Sequence, residues 1–254
     1  MFFEIQRILA YHKPKAFLLE NVKQLRGHDK GNTLKTILSI LRGEKVAELP
    51  ADVPMSEEAR SSLSTTLNYD VDFRVLKASN FGVPQNRERV YIIGFNRDKV
   101  EASEKGGLAQ SILDELAQRT TETRLGDILM DNITVDPKYT LSERLWQGHI
   151  RRKAEHKTKG NGFGYSLFTR KSVSCNTISA RYYKDGSEIL IDQSDINRNP
   201  RKLTPKECAA IQGFPPEFVL DAVSDVQNYR QFGNSVAVPV ISAISKEMLP
   251  YLKS

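Results

Sequence analysis

Cysteine is scarce in this sequence: Cys175 and Cys208 are the only two thiols in 254 residues. Two thiols build no disulfide framework, which fits a reducing compartment. With four scattered histidines they give no zinc spacing, so no metal is expected. No apolar run reaches the length of a membrane span. The opening Met-Phe-Phe-Glu-Ile-Gln-Arg carries Glu4 and Arg7, and a basic start followed by an apolar core is missing, so it does not read as a secretory signal. Internal repeats and low-complexity tracts are absent as well. These absences point to a cytoplasmic chain with no membrane partner. What is present is ordinary for a globular protein: 39% hydrophobic and 27% charged residues, enough for one large domain or two modest ones. The net charge of +6 favours polyanions, although solubility alone accounts for the same excess.

Periodicity organises the chain. Phe3, Ile5, Ile8 and Leu9 predict a helix over 2–11, which Pro14 ends. Ala16 to Leu19 is a short apolar run, read as a buried parallel strand. A stripe of Leu34, Ile37, Leu38 and Leu41 predicts a helix over 32–42. Residues 43–68 read as an irregular surface insertion. Two strands follow, over 71–76 and 90–95, and the alternation of helix and strand suggests an α/β sheet. Between about 100 and 200 basic and aromatic residues interleave, Gly160, Gly162 and Gly164 cluster, and periodicity weakens. That stretch reads as a small domain of strands and loops. Thr204-Pro205-Lys206-Glu207 is a capping box with proline at the first helical position, and another helix fits 236–249.

Four places could carry chemistry, each with a bland alternative. Glu20 sits just past the carboxyl end of the first strand, where open α/β sheets place their sites; a surface carboxylate would look the same. Arg87 and Arg89 alternate along an extended loop, so both could face one phosphate or base carbonyl; a surface network with Glu88 is the common explanation. Gln231 to Val236 puts a glycine and small polar residues ahead of an apolar helix, which reads as a helix N-terminus that attracts anions or as an ordinary cap. The basic run from His149 to Lys159 is usually a solvated helix face, but here it leads into an aromatic-bearing glycine loop and makes a plausible DNA-facing surface.

Combined and in order, these blocks identify a family. Phe17-Leu18-Leu19-Glu20-Asn21-Val22, Gln85-x-Arg87-x-Arg89, Arg201-x-Leu203-Thr204-x-x-Glu207-Cys208-x-x-x-Gln212-Gly213-Phe214-Pro215 and Tyr229-Arg230-Gln231-Phe232-Gly233-Asn234-Ser235-Val236 closely resemble four ordered blocks of the bacterial DNA (cytosine-5)-methyltransferases. Asn176 to Gly186 is similar to the same family. The resemblance implies an α/β fold: the C-terminal part of a Rossmann-like methyltransferase sheet with a small, mostly β/loop target-recognition domain. It divides the chain into a partial catalytic domain over 1–100, a target-recognition domain over 101–200, and C-terminal helices over 201–254 that return to the catalytic domain.

The resemblance also implies roles. Glu20 would contact N3 and the exocyclic amine of a flipped cytosine, and Arg89 its O2, with Arg87 a supporting or phosphate-facing residue. Asn234, Ser235 and Val236, after Gly233, would close the S-adenosylmethionine pocket. From the basic run and the loops near it, and not from the resemblance, double-stranded DNA would meet Arg151, Arg152, Lys153, Lys159, Asn161, Tyr165, Arg181 and Lys184. In such enzymes a cysteine thiolate adds to carbon 6 of cytosine and makes carbon 5 nucleophilic. Charge then develops at N3 and O2, where a proton-bearing glutamic acid and an arginine stabilise it, and the base must leave the duplex stack to be reached.

Two family blocks are missing. Neither the glycine-rich Phe-x-Gly-x-Gly turn nor the Pro-Cys-Gln loop is present, and neither Cys175 nor Cys208 follows a proline. The expectation is a chain inactive alone, with a partial S-adenosylmethionine site, completed by an N-terminal methyltransferase polypeptide and working at the nucleoid in restriction-modification. Half of a doubly wound sheet would expose a strand edge and an apolar face, so the partner is also expected to stabilise it. The competing expectations are a non-catalytic DNA-binding or regulatory homologue, and a truncated remnant.

Overall fold

The N-terminal apolar stripe forms a helix as its spacing predicts. In the computed structural model, which describes residues 2–45, 56–101 and 107–253, α1 (Phe2–His12) buries Gln6, Leu9 and Ala10 and exposes Phe3, Ile8 and Tyr11. The chain divides into two units. The first comprises Met1–Leu76, Glu88–Arg119 and Ala243–Ser254, and the second Lys77–Arg87 and Thr120–Ser242.

In the first unit α1 leads into β1 (Ala16–Val22) and α2 (Asn32–Arg42). α2 stops where Gly43 takes a left-handed φ of 78° and caps it by donating to Ile40 O. A Cβ there would lie 2.0 Å from the Leu67 carbonyl oxygen, so only glycine fits. Then come α3 (Glu57–Ser64), β2 (Tyr69–Lys77), β3 (Glu88–Asn96) and α4 (Leu108–Ala117). The three strands form one sheet in the order β1-β3-β2. Leu9, Phe17, Leu34, Leu38, Leu41, Tyr69, Val71, Val90 and Ile92 share its core. The Gln6 amide donates to Leu63 O at 2.9 Å and ties α1 to α3.

Four local expectations need correction here. β1 continues through Val22 instead of stopping at Leu19, so Glu20 lies within the strand. It pairs antiparallel with β3, Glu20 opposite Tyr91 and Val22 opposite Arg89, because β3 and not β2 is its neighbour. It is also less buried than a central strand: only Phe17 is fully inside, as suits the edge of this sheet. Of the supposedly irregular 43–68, positions 46–55 lie outside the described residues, and Glu57–Ser64 is helical with Leu63 and Leu67 in the core.

The second unit has little regular sheet. α5 (Glu143–Thr158) is capped by Ser142 and packed through a single buried residue, His149. Trp146, the only tryptophan, meets Tyr165 edge-on at 4.7 Å. β4 (Leu167–Phe168) and β5 (Leu190–Ile191) are two-residue parallel strands. α6 (Pro205–Ile211) and α7 (Asp225–Asn234) complete a core with Leu125, Cys175, Ile178, Tyr182, Ile191, Leu203 and Phe232. α8 (Val238–Met248) starts in this unit and ends in the first. So 101–200 contains the expected loops and short strands, and a 16-residue helix as well. Residues 201–242 pack with 120–200 in this division.

The capping box at α6 is present in both directions: Thr204 Oγ1 accepts from Glu207 N at 3.2 Å, and Glu207 Oε2 accepts from Thr204 N at 2.8 Å. The same carboxylate takes two hydrogen bonds from Arg201, each 2.8 Å, and one from Met130 N at 2.9 Å. Arg201 and Glu207 side chains are both 0% exposed. Removing one member of such a pair strands a buried charge. Arg201→Ala should therefore cost the second unit about 3–5 kcal/mol, read by urea unfolding; a loss below about 1 kcal/mol would mean the pair behaves like a surface contact.

Candidate functional site

Glu20 and Arg89 reach each other because of strand register. They lie diagonally across β1 and β3, where long side chains on one face can meet. Arg89 Nε sits 3.0 Å from Glu20 Oε1, and its Nη1 donates to Glu88 O at 2.8 Å. The pair is 15% and 26% exposed, so solvent reaches it without surrounding it. Beside it, Lys23 Nζ and Glu88 Oε2 pair at 2.7 Å. A carboxyl group and a guanidinium side by side at a strand end can grip a planar, polar ring by two edges.

Arg87 goes elsewhere. It is 3% exposed and directs its guanidinium at backbone carbonyls of the second unit: Ile178 O at 3.4 Å, Gly233 O at 3.4 Å, and Ser235 O. The two arginines thus do not converge on one group, and the geometry of Arg87 fits support better than contact with a phosphate. Gln85 is buried beside it. Its amide donates to Ile211 O at 3.0 Å and accepts from Ile178 N at 3.1 Å, while Gln212 donates to Phe232 O at 2.6 Å. Backbone groups of three sequence blocks are joined by these amides.

The segment from Gln231 to Val236 is not a helix N-terminus as expected. Gln231 to Asn234 form the last turn of α7 and Ser235 caps it, because Ser224 starts that helix earlier. Gly233 approaches the Ser179–Ala180 peptide so closely that a Cβ would meet Ala180 N at 2.3 Å. Arg87 then fixes the turn from its carbonyl side. Asn234 is exposed and Ser235 and Val236 are half-buried, leaving an amide and a hydroxyl at the surface of a rigid junction.

The basic surface is built on α5. Arg151, Arg152 and Lys153 are exposed on it, and Lys159 caps its end. Lys153 Nζ lies over the Tyr165 ring at 4.1 Å and donates to Tyr165 O at 3.0 Å, pinning the glycine loop to the helix. The Oδ1 of the exposed Asn161 lies 3.0 Å from His156 Nδ1, from which it accepts. Arg152 pairs with Asp185 at 3.4 Å, which brings the turn carrying the exposed Arg181 and Lys184 alongside. Sequence reasoning missed His149, the one inward residue of α5, and the Arg201–Glu207 pair. A histidine inside a basic run and an arginine ahead of a capping box were the only signals.

Both thiols are fully buried. Burial pushes Cys175 and Cys208 far above the ordinary thiol range, which removes the thiolate needed for nucleophilic attack. Among the described residues no cluster of three or more His, Cys, Asp or Glu could hold a metal ion.

A family model described as C-5 cytosine-specific DNA methylase matches residues 1–44 and 59–250. The chain belongs to that family. Type II methyltransferase M1.ScrFI of Lactococcus lactis subsp. cremoris is 49% identical over 100% of this chain and 56% of the relative. Type II methyltransferase M.SsoII of Shigella sonnei is 50% identical over 100% of this chain and 58% of its own length. This C-5 methylase chain therefore spans a little over half the length of either relative. The crystal structure of S. pombe Dnmt2 methyltransferase superposes with a TM-score of 0.67 at 18% identity, covering 98% of this chain and 72% of that one, so the mixed α/β fold is shared with methyltransferases.

If the buried thiols are as inert as their setting implies, iodoacetamide at about pH 8.5 will modify neither in the folded chain and both in denaturant. Mass spectrometry reads the result; rapid labelling of Cys208 in the folded chain would contradict it.

Proposed function

We propose that this chain supplies the base-gripping and DNA-recognising part of an enzyme that transfers a methyl group from S-adenosylmethionine to carbon 5 of cytosine in a specific double-stranded DNA sequence, as a Type II restriction-modification methyltransferase. The observation that carries the reading is the Glu20–Arg89 pair, a carboxyl and a guanidinium held 3.0 Å apart across two strands. In the free chain they satisfy each other. A flipped cytosine would replace that contact, taking Glu20 at N3 and the exocyclic amine and Arg89 at O2, where charge develops. Arg87 acts by fixing the Gly233–Ser235 turn.

S-adenosylmethionine is implied by the family, and it supplies an electrophilic methyl group when bound. Asn234, Ser235 and Val236 fit one wall of its site: they leave polar groups at the surface of a turn that Gly233 and Arg87 hold still. The remaining walls belong to segments this sequence does not contain. The same holds for the nucleophile, since Cys175 and Cys208 are sealed from substrate. The thiolate would come from a segment other than these 254 residues. Surfaces suited to such a complement exist in the first unit: β1 ends the sheet order, and α1 exposes Phe3, Ile8 and Tyr11. DNA meets the second unit at α5, the 160–165 loop, Arg181 and Lys184, and the work takes place at the cytoplasmic nucleoid. Among the described residues no helix is long and apolar enough to cross a membrane.

The test mixes this chain with a polypeptide carrying the glycine-rich turn and the Pro-Cys-Gln loop, and follows methyl transfer to duplex DNA. Activity is expected from the mixture and not from either alone. In that complex Glu20→Gln should reduce turnover by about 10²-fold or more with DNA affinity nearly unchanged; undiminished methylation would remove Glu20 from the mechanism. Affinity should also fall steeply with salt, and Arg151→Ala or Lys159→Ala should flatten that slope by about one unit per lost phosphate contact. A slope the variants leave unaltered would place the DNA elsewhere.

A further inference from the structure

A cavity of about 220 Å³ lies beside α5, lined by His149, Arg152, His156, Gly164, Tyr165 and Ser187. It is smaller than the roughly 300 Å³ at which sites for drug-sized molecules begin, so it suits a small group. Its inner wall is His149, only 2% exposed, whose Nε2 has no hydrogen-bond partner. Buried polar atoms are nearly always paired, and an exception at a cavity wall asks for a ligand. The helix around it carries Arg151, Arg152, Lys153, Lys157 and Lys159 against a lone Glu155 over the same stretch. That field draws in an anion. Arg152, held by Asp185 only at 3.4 Å and half exposed, can turn a guanidinium edge to the cavity.

We propose that this cavity is a proton-linked phosphate site, in which a phosphodiester group of the DNA backbone is held by Arg152, the Ser187 hydroxyl and a His149 ring that gains a proton as the phosphate arrives. The proposal rests on the reading of α5 as the DNA-facing helix. In the free chain burial holds His149 below the usual imidazole range; Arg152 pushes the same way, while the Asp185 carboxylate and backbone oppose both. Among the described residues, His156 from its own helix and Tyr165 from the loop also line the cavity, and Lys153 lies over the Tyr165 ring. An anion at Nε2 favours the imidazolium, so the bound state has the higher pKa. The sign follows: the extra affinity is full below the free-state pKa and is lost as pH rises through the bound-state value.

The full chain is titrated with labelled duplex DNA at fixed ionic strength between about pH 5 and 8. Affinity is expected to weaken with rising pH by up to about tenfold per unit over part of that range. His149→Gln should flatten the profile, and His156→Gln should not. Because His149 is buried and its variant can misfold, the ring resonances of the wild-type chain are followed as well, and the His149 midpoint should move up when duplex is added. A flat wild-type profile with a stationary midpoint overturns the site while leaving DNA binding by α5 intact. Absence of duplex binding at every pH overturns both readings. A midpoint that moves with inorganic phosphate but not with duplex makes this a free-phosphate site and overturns the assignment to DNA.

Discussion

The Arg201–Glu207 pair is the constraint on which the second unit depends. A carboxylate removed wholly from water is tolerable only if its acceptor sites are filled. Glu207 fills them with two bonds from Arg201, one from Thr204 N and one from Met130 N. Arg201 uses a further donor on Asn132 at 3.0 Å. One ion pair thus sets the start of α6, the course of the chain at 130–132 and the position of Arg201 in its bridges to Thr140 and Ile191. Tyr182 and Tyr229 extend the arrangement, holding Leu203 N and O at 2.7 and 2.6 Å. The apolar core alone would allow several packings of so loop-rich a unit; buried polar groups with fixed partners narrow the choice.

Arg87 and Arg89 show how setting decides the work of a side chain. They are two residues apart and the same chemical type. Arg89 stands on a strand whose register offers it a carboxylate, and it stays partly in reach of solvent. Arg87 precedes that strand and is closed in among carbonyls, where a guanidinium serves as a clamp of several donors. The consequence is a division: Arg87 holds the Gly233–Ser235 turn, and Arg89 pairs with Glu20.

Much of this was legible in the sequence. The stripe Leu34, Ile37, Leu38 and Leu41 gave α2 with correct ends, and the Thr204 capping box gave α6. Alternation and apolar runs located β2 and β3 to within two residues. Strand direction was not legible, because it depends on which neighbour β1 finds, and local pattern says nothing of that. α5 carries almost no apolar period, since a single inward residue packs it; its helicity rests on a serine cap and complementary end charges. At Gln231–Val236 the small polar residues that suggested a beginning belong to an end, a confusion inherent in residues that suit both caps. The meeting of Glu20 with Arg89 came from the family resemblance and not from spacing, because register across strands distant in sequence leaves no local trace. Nor could sequence show that Arg87 is sealed away, because burial of a charged side chain depends on segments far along the chain.

Trp146 has a consequence of a different kind. It is the only indole in the chain, and it stands against Tyr165 where the glycine loop meets α5. Tryptophan emission from this protein is therefore a local signal and not an average over the molecule. The loop beside that ring is attached by Lys153 and bends at Gly160 and Gly162, whose surroundings are open. Any displacement of the loop changes the polarity and the quenching that the indole senses. The chain thus carries a built-in fluorophore for the basic surface of α5 and its loop, whose displacement would otherwise need a dye to follow.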